Sequence, residues 1–232
     1  MIQNDCEKYF EKINIKAVEL AQKARDISKK EVLIAGGLPN QKQTYSADLG
    51  KDLDLIEKNF HDQARLLKNG IDFFYLDVLS SGLECQLALK AIDSFNLPVL
   101  VGIHLRDNGL LPSGDKIEYI VKKYKNKNWL GIIMACISPQ AYEAVADVLK
   151  KIDIPYGFKL NAFKKIPLGY TVASKDAWGN AGNPNTVLGK NTELNESKFY
   201  DYVKKFMENG ATILGGCCEI RPSHIKEISK LK

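Results

Sequence analysis

Short apolar runs alternate with longer amphipathic segments along most of this chain. The runs are "VLIAGGL" from Val32, "FFYLDVL" from Phe73, "PVLVGIH" from Pro98, "LGIIMAC" from Leu130, "YGFKLNA" from Tyr156 and "TILGG" from Thr212. Each run is nearly continuous in apolar residues, which is typical of strands that are covered on both faces. The segments between them have helical spacing of apolar residues, for example Leu83 to Ser94 and Pro139 to Ile152. The pattern therefore predicts six parallel strands connected by helices.

This alternation favours a (β/α) barrel over an open nucleotide-binding sheet, because no Gly-rich dinucleotide fingerprint follows the first strand. A closed barrel of this kind has eight strands, and the sequence provides six. A further helix, predicted from Asp5 to Lys30, precedes the first strand. We therefore predict an α/β fold of the TIM-type (β/α)8 class in a single domain, residues 1–232, that is incomplete at its N-terminus.

The composition is that of a soluble globular protein, with 45% hydrophobic and 26% charged residues. The net charge of +5 comes from lysines scattered over predicted helices rather than clustered on one face, so we expect no nucleic-acid partner. No apolar run approaches the roughly 18–20 residues of a membrane helix. The start, "MIQNDCEKYFEKINIK", is too polar for a signal peptide, and we therefore expect a cytoplasmic protein without a membrane partner.

The five cysteines are an odd number in a chain without a recognisable export signal, which favours reduced thiols over a disulfide framework. Cys6 and Cys85 fall inside predicted helices, where packing is the simplest role. Cys136, Cys217 and Cys218 instead follow predicted strands. The carboxyl ends of barrel strands meet at one mouth, so these three thiols are expected to converge.

Adjacent cysteines on an extended chain point to opposite sides, so we expect Gly215 and Gly216 to bend the backbone. Three thiolates with an open fourth position are typical of a catalytic zinc site that activates a thiol. A strand-end cysteine is also often a small buried apolar residue. Convergence of all three at one barrel mouth favours the metal site.

Three other polar side chains close predicted strands: Asp77, His104 and Asn161. We expect them at the same mouth, where they would bind substrate, although a hydrogen-bonded structural role for His104 is an equally good interpretation. His224, at the start of the last helix behind Ser223, is predicted to be structural. The irregular segment from Phe163 to Asn195 is too long for a plain turn and is predicted to be a functional loop.

The segment "GGCCEIRPSHIKEI" resembles the C-terminal zinc motif of the homocysteine S-methyltransferase family, whose pattern is GGCC, a short gap, Pro, one residue and His-Ile. In that family a third zinc cysteine closes an earlier strand just before Ser/Thr-Pro, and "IIMACISPQAYEAV" is similar. "INIKAVELAQKARD" and "IAGGLPN" resemble the helix and the Gly-rich loop around the family's third strand. The likeness runs along nearly the whole chain.

The resemblance implies that Cys136, Cys217 and Cys218 bind Zn²⁺ and that the substrate is homocysteine. Where members have a strand-end Glu that holds the substrate ammonium, this chain has Asp77, which keeps the charge but reaches less far. Where members have Asn before the first zinc cysteine, this chain has Ala135, so a hydrogen bond to that cysteine is missing or moved.

The first two strands of the family have no counterpart before Asp5. This difference accounts for the strand count. It indicates either a piece of a longer protein or a shortened homologue whose barrel is open or completed by another chain. An unpaired sheet edge would favour a homo-oligomer.

The resemblance favours a zinc-dependent methyltransferase that moves a methyl group from a sulfonium or similar donor to homocysteine, forming methionine. S-methylmethionine, S-adenosylmethionine and betaines remain open as donors. The loop from Phe163 to Asn195, with Trp178, would cover the mouth and offer an aromatic face to a cationic donor. A non-catalytic or partner-dependent zinc-binding homologue is the alternative. A redox role for the vicinal cysteines fits less well, because a disulfide between neighbours is strained.

Overall fold

A computed structural model describes residues 7–167, 170 and 184–231. The described part contains one sheet of six parallel strands in sequence order. The strands are β1 Ala35–Pro39, β2 Phe73–Leu79, β3 Val99–Ile103, β4 Trp129–Ile137, β5 Tyr156–Leu160 and β6 Ile213–Gly216. The helices are α1 Phe10–Ser28, α2 Leu53–Leu67, α3 Gly82–Ile92, α4 Ile117–Tyr124, α5 Pro139–Glu143, α6 Ala146–Leu149, α7 Pro184–Leu188, α8 Glu196–Glu208 and α9 Pro222–Ile228.

All six predicted strands are confirmed, and β2 has the predicted bounds. The first strand begins at Ala35 rather than Val32, because Val32 and Leu33 are exposed and precede the pairing with β2. The helix expected from Asp5 to Lys30 is α1, with a short 3-10 turn at Glu7–Tyr9 before it. Asp5 and Cys6 lie outside the described residues.

The prediction of one helix from Pro139 to Ile152 is wrong in detail, because the structure has two short helices there, α5 and α6. The break falls at Val145, whose φ of −118° and ψ of 0° depart from helical geometry. Val145 is 5% exposed and belongs to the apolar core. The helix is therefore interrupted at a residue whose β-branched side chain is buried in the core.

The core lies between the sheet and the helices. On β2 the side chains of Phe74 and Leu76 are fully buried, and they share the core cluster with Phe60 of α2. Alternate residues of a strand point to the opposite face, so Tyr75 and Asp77 point to the inner face of the sheet. The polar residues that concern function therefore lie inside the sheet, away from the helices.

The sheet curls strongly around this inner face. Lys159 Nζ on β5 lies 2.7 Å from both carboxylate oxygens of Asp77 on β2. In a flat sheet those strands would be about 14 Å apart, three strand spacings, so only a curled sheet allows the contact. The result is a half-barrel with the architecture of part of a TIM-type barrel. Within the described ranges, β1 and β6 do not pair with each other.

No helix in the described part of the chain has both the length and the apolar character needed to span a bilayer.

Strands β5 and β6 approach so closely that Gly157 has no room for a side chain, because an added Cβ would overlap the carbonyl oxygen of Ile213. We expect Gly157→Ala to lower the free energy of unfolding by about 2–3 kcal/mol, since backbone cannot move aside as a flexible side chain can. Chemical denaturation followed by circular dichroism measures this change.

Gly37→Ala on β1 is the matched control. A Cβ at Gly37 would meet nothing within 4 Å, so its effect should stay within about 0.5 kcal/mol. Equal effects of the two substitutions would show that the close approach of β5 and β6 does not limit stability.

Candidate metal and substrate site

Cys136 occupies a bulge near the end of β4. Ala135 pairs with Lys159 and Ile137 pairs with Leu160, so Cys136 is an extra residue on its strand. Its φ is +54°, in the left-handed region that residues other than glycine rarely adopt. A bulge of this kind re-aims a side chain, and strained backbone concentrates at functional sites.

Cys217 and Cys218 follow β6 directly, in a turn closed by a hydrogen bond from Ile220 N–H to the Cys217 carbonyl, 3.1 Å. The expectation that Gly215 and Gly216 make the bend is wrong: both lie in β6, and the residue with positive φ is Glu219, at +62°. Gly216 is needed for a different reason. A Cβ there would overlap the side chain of Ile220, which folds back over the strand end.

The structure brings the three sulfurs together. Cys136 Sγ and Cys217 Sγ each lie 3.8 Å from Cys218 Sγ. All three ligand atoms lie within 4.8 Å of one another, and none of these cysteines is in a disulfide. The group therefore has the spacing and the donor chemistry of a soft metal site.

The crowded thiols resist ionisation. Hydrogen bonding to the Cys136 thiol, followed by burial, raises the pKa of Cys217 to about 12. The hydrogen bond with Cys136 lowers the pKa of Cys218, but the hydrogen bond with Cys217 and burial outweigh it and raise the pKa to about 11. A divalent cation would reverse this preference, because a coordinated thiol loses its proton.

Two further side chains hold Cys136. Asn161 Nδ2–H donates to the Cys136 carbonyl at 2.6 Å, and Asn161 Oδ1 accepts from Phe163 N–H at 3.1 Å. The Tyr45 hydroxyl lies 3.1 Å from Cys136 Sγ. Ala135 cannot supply the side-chain hydrogen bond expected from the residue before this cysteine, and the hydrogen bond to Cys136 comes instead from Asn161, at the end of the neighbouring strand β5. Tyr45 lies in a loop with no strand or motif signal, so nothing in the sequence pointed to it.

His104 is buried at 3% exposure behind the cysteines. Its Nδ1 lies 3.3 Å from the Ala135 carbonyl, and its ring centroid lies 4.6 Å from that of Tyr45. Burial lowers the pKa of His104 to about 4. The imidazole is therefore neutral at physiological pH, with Nδ1–H as the donor to the carbonyl.

Asp77 lies on the inner face of the sheet and accepts three hydrogen bonds from two side chains. Lys159 Nζ contacts both carboxylate oxygens, and the Tyr75 hydroxyl donates to Oδ1 at 2.7 Å. Tyr75 is itself packed beneath the ammonium, with its ring centroid 5.1 Å from Lys159 Nζ. Asp77 was predicted from the sequence but Lys159 and Tyr75 were not, because a lysine inside an apolar run gives no sign of its partner.

A cavity of about 960 Å³ opens beside Tyr45 and Asn161, the two side chains that contact Cys136. Its lining also includes His104, Arg106 and Lys164, but the described lining residues do not include the three cysteines, Asp77 or Lys159. Described parts of the segment predicted as a functional loop, Phe163 to Pro167 and Asn191, also line it. Trp178 lies outside the described residues.

His224 has a structural position, as predicted. It accepts a hydrogen bond from Arg221 N–H at Nδ1, 3.1 Å, and its Nε2 lies 3.1 Å from the Leu194 carbonyl. Arg221 rather than Ser223 is the N-cap of α9, and Ser223 donates instead to Glu196. The histidine thus ties the segment after the cysteines to the start of α8.

Comparison with known protein families gives a match that covers almost the whole chain. A family model described as homocysteine S-methyltransferase matches residues 2–231. A selenocysteine methyltransferase from Astragalus bisulcatus is 24% identical over 96% of this chain and 65% of its own length. Homocysteine S-methyltransferase 1 from Saccharomyces cerevisiae is 31% identical over 61% of this chain and 43% of its own length.

Among solved structures, the apo crystal structure of the homocysteine methyltransferase MmuM from Escherichia coli superposes with a TM-score of 0.69. It is 16% identical and is matched over 96% of this chain and 73% of its own. At that identity the likeness establishes the fold. This chain spans about two thirds of the length of the plant relatives.

The buried neutral His104 makes stability depend on pH. Its pKa is lowered from 6.5 to about 4 in the folded chain, so between those values only the unfolded chain takes up the proton. His104 therefore contributes a fall in the free energy of unfolding as the pH decreases from about 6.5 towards 4. The Glu84 carboxyl, whose pKa burial raises to about 7, contributes the opposite slope over this range, so the effect of His104 is the difference in slope between wild type and His104→Asn. Urea denaturation of the metal-free proteins, with chelator present, measures these slopes at neutral and mildly acidic pH.

His104→Asn should remove this contribution, so that its stability falls less on acidification than that of wild type, whereas His61→Asn should follow wild type, because the His61 side chain is 45% exposed. The same acid slope in wild type and His104→Asn would assign the effect to other groups.

Proposed function

This chain belongs to the homocysteine S-methyltransferase family, and we propose that it transfers a methyl group from a sulfonium or similar donor to the sulfur of homocysteine, forming methionine. In the reaction, a bond forms between the methyl carbon and the homocysteine sulfur while the bond from that carbon to the donor breaks. A sulfonium donor leaves as a neutral thioether. The thiol proton of homocysteine passes to solvent.

The observation that carries this proposal is the convergence of Cys136, Cys217 and Cys218 at the strand ends, in the part of the fold where such barrels place their chemistry. We propose that the three bind Zn²⁺. Zinc–sulfur bonds of about 2.3 Å in a tetrahedral site put neighbouring sulfurs about 3.8 Å apart. Cys136 Sγ and Cys217 Sγ each lie 3.8 Å from Cys218 Sγ, and all three sulfurs lie within 4.8 Å of one another, which supports this ion.

Zinc, when bound, keeps a substrate thiol deprotonated at neutral pH while leaving it nucleophilic. The side chains around the cysteines would hold the zinc ligands in place. Asn161 fixes the left-handed backbone at Cys136, and the Tyr45 hydroxyl can donate to the Cys136 sulfur. Both contacts limit the movement of one ligand and exclude water from it. Free thiols fit a reducing compartment, and we place the protein in the cytoplasm.

We propose that Asp77 binds the substrate ammonium. The carboxylate lies on the inner face of the sheet, and Tyr75 orients it. His104 and Asn161 line the adjoining cavity, where they would contact the part of the substrate or donor that extends beyond the cysteines. That cavity is large enough for a donor of the size of a small sulfonium.

Metal content tests the zinc site directly. We expect purified wild-type protein to contain about one zinc per chain, and Cys217→Ser to contain almost none, because loss of one thiolate from three leaves a weak site. Elemental analysis by plasma mass spectrometry measures the ratio.

Cys85→Ala is the matched control, since Cys85 is fully buried in α3 and lies outside the cluster. It should keep its zinc. Wild-type protein without zinc, after purification and reconstitution under reducing conditions, would contradict the proposed metal site.

Methyl transfer is the second test. With homocysteine and a donor that carries a deuterated methyl group, we expect labelled methionine from wild type and a loss of at least about a hundredfold in rate for Cys217→Ser. Mass spectrometry of the product, with S-methylmethionine, S-adenosylmethionine and betaine in separate reactions, identifies the donor class. Bound zinc without labelled methionine from any donor would instead support the non-catalytic homologue.

A further inference from the structure

Lys159 and Asp77 form an ion pair across the inside of the sheet. The ammonium lies 2.7 Å from both carboxylate oxygens, and the two side chains are 20% and 27% exposed. They come from β5 and β2, so the pair spans the half-barrel rather than joining neighbouring strands. The proposed partner of the substrate ammonium, Asp77, therefore already has a cation beside it.

The pair lies directly below the thiols. Lys159 is in register with Ala135 on one side and with Gly215 on the other. Cys136 comes one residue after Ala135 and Cys217 two residues after Gly215, which places the cysteines roughly 3–7 Å further along the strands. In homocysteine two methylene groups separate the thiol-bearing end from the α-carbon, so a substrate with its sulfur at the cysteines would bring its charged end to the pair.

The hydrogen bonds of the pair leave one donor and one acceptor site available. A lysine ammonium has three N–H donors, and two of those of Lys159 are used by Asp77. Oδ1 of Asp77 accepts from both Lys159 and Tyr75, whereas Oδ2 accepts only from Lys159 among the described residues. One N–H of Lys159 and one lone pair of Asp77 Oδ2 can therefore receive a ligand.

This remaining capacity matches an amino-acid headgroup. A carboxylate can accept from Lys159 while an ammonium donates to Asp77, and both bonds are of the strong charge-assisted kind. The pair is neutral as a whole. A ligand with only one of the two charges would bring an unbalanced charge into a partly desolvated space, which is unfavourable.

We propose that Lys159 is a specificity-determining residue that binds the α-carboxylate of the thiol substrate, so that Asp77 and Lys159 together recognise the zwitterionic head of an amino acid. This inference rests on the proposed function, because it takes the three cysteines as the site of the substrate sulfur. It predicts selection of a zwitterion over thiols that carry only an ammonium or only a carboxylate.

The test compares three thiols of equal reach: homocysteine, homocysteamine, which lacks the carboxylate, and γ-mercaptobutyrate, which lacks the ammonium. Dissociation constants are measured by calorimetry on zinc-loaded protein. We expect wild type to prefer homocysteine over homocysteamine roughly tenfold or more, the value of one hydrogen bond to a charged group. Lys159→Met should abolish that preference by weakening homocysteine binding and sparing homocysteamine, and Lys159→Arg should retain most of it.

Lys150→Met is the matched control, because Lys150 pairs with Asp147 on the surface and its side chain is 44% exposed. It should leave all three constants unchanged. Should Lys159→Met fold poorly with Asp77 left unpaired, the double variant Asp77→Asn with Lys159→Met removes both charges. We expect that variant to bind the three thiols with similar affinity.

The outcomes separate this inference from the proposed function. An undiminished preference for homocysteine in Lys159→Met, or in the double variant, would overturn the role of Lys159 and leave the methyltransferase proposal standing. Zinc-loaded wild type that binds none of the thiols would overturn both.

Discussion

Six strands can bring side chains to one point only if their sheet curls, and the last strand of this sheet must also pack closely against its neighbour. Gly157 of β5 stands against the Ile213 carbonyl of β6 with no space for even one methyl group. That contact fixes β6, from which Cys217 and Cys218 extend. The same curvature brings Lys159 to Asp77 across the interior. The stability of the fold and the assembly of the site therefore both depend on the curled, closely packed geometry of this sheet.

The sequence was sufficient to predict the strands. A strand that is covered on both faces is a nearly continuous apolar run, and such a run can be recognised without knowing which strands pair with it. The prediction that Cys217 follows the end of a strand is confirmed, whereas Asp77 and Cys136, also expected to close strands, lie two residues and one residue before the ends of β2 and β4. Family resemblance then predicted which cysteines would meet. The structure confirms the fold class, and it places the three sulfurs in one group.

What the sequence could not predict depends on register and on distant contacts. The bulge at Cys136, and a second irregularity in the pairing of β2 where Val78 has a φ of +60°, follow no local pattern. A β-branched residue such as Val78 rarely adopts that conformation, so its neighbours must impose it. In the sequence Lys159 is only a charged residue within an apolar strand. Its partner Asp77 becomes apparent in the structure, where the curl of the sheet brings the two side chains together. Glu219, rather than a glycine, makes the left-handed turn after the cysteines.

The long separation of the site's parts along the chain has a consequence for folding. Cys136 and Cys218 are 82 residues apart, and so are Asp77 and Lys159. Contacts of such sequence separation form late, because the loops between them must be closed first. During synthesis Cys136 therefore emerges well before its partners and spends that interval as a lone thiol. Until β6 docks and the cluster closes, the thiol of Cys136 is accessible to oxidants.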